Sequence, residues 1–296
     1  VVSIDEPRIF THLKGPLRIL HSQWASFPFW TPGLAQKIDH AIFLSYYQQT
    51  TQREVCPALD PDPILLIGNG IDLDRYDDLT VDTVPGRLVW SSSPDRGLHH
   101  LLRWWPTLKE RHPHLSLKVF YNVDAMAPYR WQMEVRAEWA KVIEQGRSLD
   151  GVEYVGPVDQ QTLAMEQKAA ELFVYPCDPA SPTETWCITA TEMAAARVPM
   201  LLSNADCLTD VYGDVAWFIP TPILDTMWID AISHLLTNEE ARTAHVEKAR
   251  KFAEHQTWEM VAERWHYFLT ERLASTDPHA VIDLVENVTH NVGFVA

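Results

Sequence analysis

A chain of 296 residues with 46% hydrophobic content is long enough to bury a large core, and its length favours two domains over one. Its formal net charge of −16 excludes a bulk basic field that would recruit nucleic acid or anionic lipid, while leaving room for a local basic pocket that holds a phosphate. Four cysteines without a C-x-x-C pair, no apolar run long enough to span a bilayer and no leader-like start set a reducing, cytoplasmic environment as the expectation, with peripheral membrane contact left open. The sequon Asn287-Val288-Thr289 is read as a chance match, and the start at Val1 without Met as a chain that begins inside a longer protein.

In chain order, residues 17–60 form a distinct piece. A strand is predicted at 17–20, then a loop rich in Trp, Phe and Pro, a helix near Leu34 and a second strand at 41–44. Two strands and one helix cannot bury a core alone, so this piece packs on the next domain or completes its sheet with a second chain. The Pro-punctuated run from Cys56 to Pro63 reads as a linker. From residue 87, short β-branched runs alternate with helical stretches, the pattern of a parallel sheet with crossover helices. Strands are expected at 88–91, 115–121, 152–155, 172–175 and 199–203, and helices at 97–111, 129–145, 159–169 and 186–197. Pro106 is expected to break the first of these helices and begin a second short segment. After Pro222 the pattern is helical, through 225–236, 238–254 and 258–273, with a Glu/Arg/Lys run from Glu239 to Glu254 read as an exposed face. The tail from Ala274 has little periodicity. The expected division is 1–60, 61–255 and 256–296. The 12 Trp are assigned chiefly to packing.

The strongest chemical signal is the unit from strand 172–175 through a Pro-rich loop into helix 186–197. In open α/β sheets ligands sit at the carboxyl ends of strands, where free helix N–H groups attract anions. Glu184 stands in that loop and Glu192 about a turn and a half into the helix. A carboxylate that accepts two neighbouring hydroxyls recognises a ribose diol, which suits Glu192. Glu184 is placed to hold a sugar, with the backbone amides of Trp186, Cys187 and Ile188 on sugar or phosphate. Ala194, Ala195 and Ala196 allow close packing of this helix on the sheet. His99-His100 and His112-Pro113-His114 have no Cys, Asp or Glu beside them at ligand spacing, so they read as helix surface and turn, and no metal is expected.

Glu184 and Glu192, separated by seven residues and followed by Met193-Ala194-Ala195-Ala196-Arg197 and Val198-Pro199-Met200-Leu201-Leu202, resemble the signature of GT-B glycosyltransferases of the family-4 type. The family has Gly where Arg197 stands and Phe-Gly where Thr185-Trp186 stand. Two further motifs agree in order. Ile67-Gly68-Asn69-Gly70-Ile71-Asp72 resembles the turn that opens the donor domain, and Ser91-Ser92-Ser93-Pro94-Asp95-Arg96-Gly97 resembles the diphosphate-binding loop, with Arg96-Gly97 at the family's Lys-Gly position. The resemblance implies a Rossmann-like parallel-sheet donor domain with an incomplete acceptor domain, closed by a helix containing Trp258. It implies a retaining hexosyltransferase that moves a hexose from a UDP- or GDP-sugar to a hydroxyl on a glycan, lipid or protein, as in polysaccharide biosynthesis. Arg96 becomes the phosphate clamp, Glu184 the sugar holder, Glu192 the ribose holder and His21 the acceptor-domain histidine on the donor sugar. Asn69, Gly70, Ser91, Ser92, Ser93, Gly97, Tyr154, Val155 and Thr185 complete the expected donor-binding set, and Ser45 faces the cleft. No cofactor, metal or nucleic-acid partner is implied. The competing readings are a non-catalytic nucleotide-sugar-binding module and a GT-B epimerase.

Overall fold

In a computed structural model the described residues are 1–15, 17–25, 30–59, 66–77, 80–125, 134–178 and 184–276. The predicted linker lies partly outside them, and so do the first part of the predicted helix 129–145, most of the Pro-rich loop, most of the tail and the sequon. The chain divides into two compact units, Val1–Gly70 with Trp258–Ala296, and Ile71–Thr257. The breaks between these units follow Gly70 and Thr257, and the sequence reading sets its divisions at 60 and 255.

The first unit opens with β1 (Val2–Ile4), a strand absent from the sequence reading although Val1, Val2 and Ile4 are β-branched. It pairs in parallel with β2 (Ile19–His21), which pairs in parallel with β3 (His40–Ile42). A further parallel bridge joins Phe43 to Leu66. Between β2 and β3 lies the short helix α1 (Pro32–Ala35), and α2 (Tyr46–Val55) follows β3 with Ser45 as its N-cap. The second unit begins with α3 (Asp74–Asp77) and β4 (Arg87–Trp90).

Helix α4 (Leu98–Arg111) buries Leu98, Leu101, Leu102, Trp104, Trp105 and Leu108, a stripe at helical spacing. It runs through Pro106 without a break, contrary to the sequence reading. That stripe is held in the core, and the Trp104 and Trp105 indoles donate to Asp225 Oδ1 (2.7 Å) and the Asp150 carbonyl (2.8 Å), so tertiary packing outweighs the one N–H that proline removes. Then come β5 (Ser116–Val119), α5 (Glu134–Gln145), β6 (Val152–Tyr154), α6 (Gln160–Lys168), β7 (Phe173–Tyr175), α7 (Ile188–Ala195), β8 (Met200–Ser203), α8 (Leu208–Tyr212) and β9 (Trp217–Ile219). β9 was also missed, although Gly213 and Pro220 bracket its apolar run.

All the pairings are parallel, β4-β5-β6 on one side and β7-β8-β9 on the other, and the bridge Leu88↔Leu172 joins β4 to β7. The resulting order, β6-β5-β4-β7-β8-β9, reverses direction between β4 and β7 and so creates a switch-point crevice at their carboxyl ends. The core of this second unit is a cluster around Trp90, Trp104, Phe173, Tyr175, Met193 and Trp228.

Three helices follow: α9 (Asp225–Thr237), α10 (Glu239–Thr243) and α11 (Val246–Glu254). The charge run is thus two helices, and Arg250 within it is buried, not exposed. Its guanidinium donates to the Ala195 carbonyl (2.9 Å) at the end of α7 and pairs with Glu254 (3.0 Å), so the cation meets the negative end of the helix that carries Glu192. The last helix, α12 (Trp258–Thr276), returns to the first unit. There Val261, Phe268 and Leu273 pack with Leu17, Ile19, Ile42 and Ile67, supplying the core that the strands could not bury alone. No described helix is long and apolar enough to cross a membrane.

Candidate active site

The loop after β4 is shaped by its own residues. The Trp90 indole donates to the Ser92 carbonyl (2.7 Å), Pro94–Arg96 forms a 3-10 turn, and Gly97 ends it at φ +112°. A Cβ at Gly97 would stand 2.1 Å from the Pro176 carbonyl oxygen, so glycine serves both the left-handed backbone and the close approach of the two loops. Gly97→Ala is expected to destabilise the fold by about 2–4 kcal/mol, read as a melting temperature lower by roughly 5–15 °C. An unchanged melting temperature would refute the tight approach.

Arg96 and Glu184 meet directly. Nη1 of Arg96 pairs with Oε1 of Glu184, whose side chain is only 7% exposed. Arg96 Nε and Glu184 Oε2 are buried without a hydrogen-bond partner in the protein. The Glu184 backbone N–H donates to Asp206 Oδ2 (3.0 Å), which fixes the loop at that point. The phosphate clamp expected at Arg96 is therefore neutralised by the residue expected to hold the sugar, and both retain hydrogen-bonding capacity for a ligand.

Glu192 projects from α7 into a second network. Gln167 of α6 donates through Nε2 to Glu192 Oε2 (2.9 Å) and Ser91 Oγ (3.2 Å), and its Oε1 accepts from the Tyr76 hydroxyl (2.7 Å). Burial pushes the Glu192 carboxyl above its usual range, opposed by the Gln167 hydrogen bond and the Arg75 charge. Burial likewise raises the Tyr76 phenol, so it stays protonated as a donor. Beside this network, the Ser92 and Tyr175 hydroxyls lie 3.0 Å apart. Ser91, Ser92, Arg96, Glu184 and Glu192 thus converge on the carboxyl ends of β4 and β7. Gln167 and Tyr76 were missed by sequence reasoning, since neither belongs to a motif and only the fold joins them.

The start of α7 is anchored from below. The Tyr212 hydroxyl donates to the Cys187 carbonyl (2.5 Å) and lies 2.8 Å from Thr191 Oγ1. The Cys187 side chain is buried, and burial pushes its thiol up to about 12, an unreactive position. Thr185 is buried, Ile188 is 40% exposed, and the Trp186 indole nitrogen is buried without a partner in the protein. Ser93 donates to Asp95 within its own turn. Tyr154 ends β6 and Val155 follows it, two strands and so about 10 Å from β4. The Tyr154 hydroxyl is spent on the Ile143 carbonyl (2.6 Å) under the Arg147 guanidinium.

His21, Asn69 and Gly70 belong to the first unit, where Gln23 links two of them. Its amide lies 3.2 Å from His21 Nε2 and accepts from Asn69 (3.1 Å). Burial lowers the His21 pKa, and the ring meets Trp265 edge-on at 5.1 Å. A Cβ at Gly70 would lie 2.7 Å from the Trp258 backbone nitrogen, so glycine here admits the start of α12. Ser45 is buried and caps α2 by accepting from Gln48 N–H (3.3 Å). His99 and His100, expected on the surface, are buried, because the first turn of α4 faces Trp139 and the loop after β7.

Among solved structures, the chain resembles a point mutant of Staphylococcus aureus TarM, determined with fondaparinux, α-GlcNAc-glycerol and UDP, at 16% identity over 89% of this chain and 54% of that one, with a TM-score of 0.66. It resembles the sucrose-phosphate synthase of Thermosynechococcus elongatus at 15% identity over 90% of this chain and 70% of that one, with a TM-score of 0.65. It also resembles Anabaena Alr3699/HepE, determined with UDP and glucose, at 16% identity over 87% and 72%, with a TM-score of 0.63. At such identities the likeness is one of fold, GT-B, and the chain spans about half the length of the TarM structure. No curated protein matches the sequence. The profile of the glycosyl transferases group 1 family matches residues 88–252, more than half of the chain and the whole sheet that carries the convergent site, and the protein belongs to that family.

Proposed function

We propose that the protein is a retaining glycosyltransferase that uses a nucleoside diphosphate hexose, UDP- or GDP-linked, and transfers the hexose to a hydroxyl of a glycan, lipid or protein acceptor. The observation that carries this reading is the convergence of two carboxylates and one guanidinium at the β4/β7 switch point, each with a different part of one donor to hold. Glu192 accepts the ribose hydroxyls. Arg96 turns its guanidinium from Glu184 to the diphosphate and stabilises the charge that grows there as the anomeric C–O bond breaks. Glu184, released, accepts hydroxyls of the hexose. The start of α7 adds backbone N–H groups to the diphosphate side, so the leaving group is neutralised without a metal. For His21 the proposed contact is the donor sugar, supported by its place at the end of β2 and by burial that keeps the ring neutral. A second chain that completes the sheet beyond β1 belongs to the same proposal, supported by the exposure of Val2 and Ile4 on that edge strand.

Gln167 is a positioning residue in this account. Gln167→Ala should raise the donor KM about tenfold with little change in kcat, because it removes one hydrogen bond that orients the Glu192 carboxylate. An equal fall in kcat at constant KM would remove that role. A panel of UDP-, GDP- and ADP-sugars, assayed for transfer and hydrolysis, tests the activity itself. Transfer to an acceptor hydroxyl is expected. Binding without turnover would leave a nucleotide-sugar-binding module, and inversion of a sugar centre would make the protein an epimerase.

A further inference from the structure

The first turn of α4 carries two adjacent histidines that the donor-binding account does not use. His99 is fully buried, its ring lies flat against Trp139 (4.1 Å between centroids, 13° between planes), and neither ring nitrogen has a hydrogen-bond partner in the protein. His100 is buried beside it, with the two ring centroids 4.0 Å apart. Its Nε2 lies 3.2 Å from Asp178 Oδ2, and its Nδ1 is unpartnered. Asp178 comes from the loop after β7, 78 residues away in sequence, so no spacing rule could have joined the three. One ligand atom from each lies within 4.8 Å of the other two.

A hydrogen bond between His100 and Asp178 accounts for one of four ring nitrogens and leaves the other three buried and unsatisfied, which native interiors rarely tolerate.

We propose that His99, His100 and Asp178 form a binding site for a divalent transition-metal cation, with zinc the best chemical fit. Two imidazoles and one carboxylate suit zinc and its neighbours, whereas magnesium and calcium take oxygen ligands. Ligand atoms about 2.0–2.2 Å from a tetrahedral zinc stand about 3.4 Å from one another, so the ion would draw the cluster in by roughly an ångström, with the loop residue Asp178 moving most. The fourth position would be taken by water. The metal would tie the first turn of α4 to the loop that leads to Glu184, six residues beyond Asp178, and it takes no part in the departure of the diphosphate.

The test is a titration of chelator-stripped full-length protein with zinc alone, without nucleotide, read by calorimetry and by melting temperature. One zinc per chain and a rise of the melting temperature with zinc concentration are expected. Asp178→Asn and His100→Gln, which nearly conserve volume, should each weaken zinc by more than about tenfold, while His112→Gln should not. A crystal of the unaltered protein, measured at the zinc absorption edge, locates the ion independently should a variant fail to fold. Absence of stoichiometric zinc, equal affinity in the Asp178→Asn/His100→Gln double variant, or anomalous density elsewhere would overturn the proposal.

Discussion

Replacing Arg96 with alanine should lower kcat by about 10²–10³, the range that follows removal of one preorganised donor from a developing anion. The effect should be larger on kcat than on the affinity for the free sugar moiety, because the role proposed for the guanidinium is to meet charge growing on the leaving diphosphate. A stability effect accompanies it. The Glu184 side chain is 7% exposed and Arg96 is its charged partner, so truncation leaves a buried carboxylate without compensation, at a cost of about 3–5 kcal/mol. The two effects separate with a second variant: Glu184→Gln with Arg96→Ala should recover much of the lost melting temperature while remaining catalytically impaired. Arg96→Lys should fall between, since an ammonium restores charge but not the paired geometry. If Arg96→Ala turned over at the rate of the unaltered enzyme, the clamp would be elsewhere.

Glu192→Ala should weaken nucleotide-sugar binding about 100-fold, the value of losing two hydrogen bonds to a charged acceptor. The loss should appear equally for the free nucleoside diphosphate, because the proposed contact is with ribose and not with the sugar transferred. Calorimetry with UDP and with a UDP-hexose distinguishes this from a sugar contact, which would spare UDP. A pH dependence follows from the raised carboxyl. Burial stabilises the protonated form of Glu192, so acidification converts the acceptor to a neutral acid at a higher pH than for an exposed glutamate. Donor affinity should therefore decline on acidification while ordinary surface carboxylates are still ionised, and Glu192→Gln should abolish that dependence. Affinity that is flat with pH in the unaltered protein would contradict the ribose role.

Much of this site was legible because its signals are local. Glu184 and Glu192 stand on one loop-to-helix segment, and the alanines after them must be small to lie against the sheet, where Ala194, Ala195 and Ala196 are indeed buried. Arg96-Gly97 ends the short loop after β4, and the glycine is demanded by a close backbone approach to Pro176. What escaped was made by convergence. Gln167 sits in a helix with no motif and gains its role only because Tyr76, Ser91 and Glu192 arrive around it from three other elements. The pair Arg96–Glu184 joins two motifs that were read as separate ligand contacts, and its mutual neutralisation is visible only in three dimensions. Asp178 reaches His100 across the switch point in the same way. The missed strands β1 and β9 are three residues each, but so are β2, β3, β6 and β7, which were read, so length alone does not account for the omission. Pro106 misled because the penalty it imposes on an isolated helix is outweighed by the buried stripe around it. His99 and His100 misled because a polar pair at a helix start was given the surface, whereas two tryptophans, Trp139 and Trp104, make that face the inside.

One nucleotide sugar is proposed to span Arg96, Glu184 and Glu192 at the carboxyl ends of β4 and β7. A crystal of the protein soaked with a UDP- or GDP-hexose decides whether it does. The ribose should be found on Glu192, the diphosphate on Arg96 with the Arg96–Glu184 pair opened, and the hexose on Glu184. A nucleotide bound elsewhere, or one that leaves the Arg96–Glu184 pair closed and untouched, would contradict it.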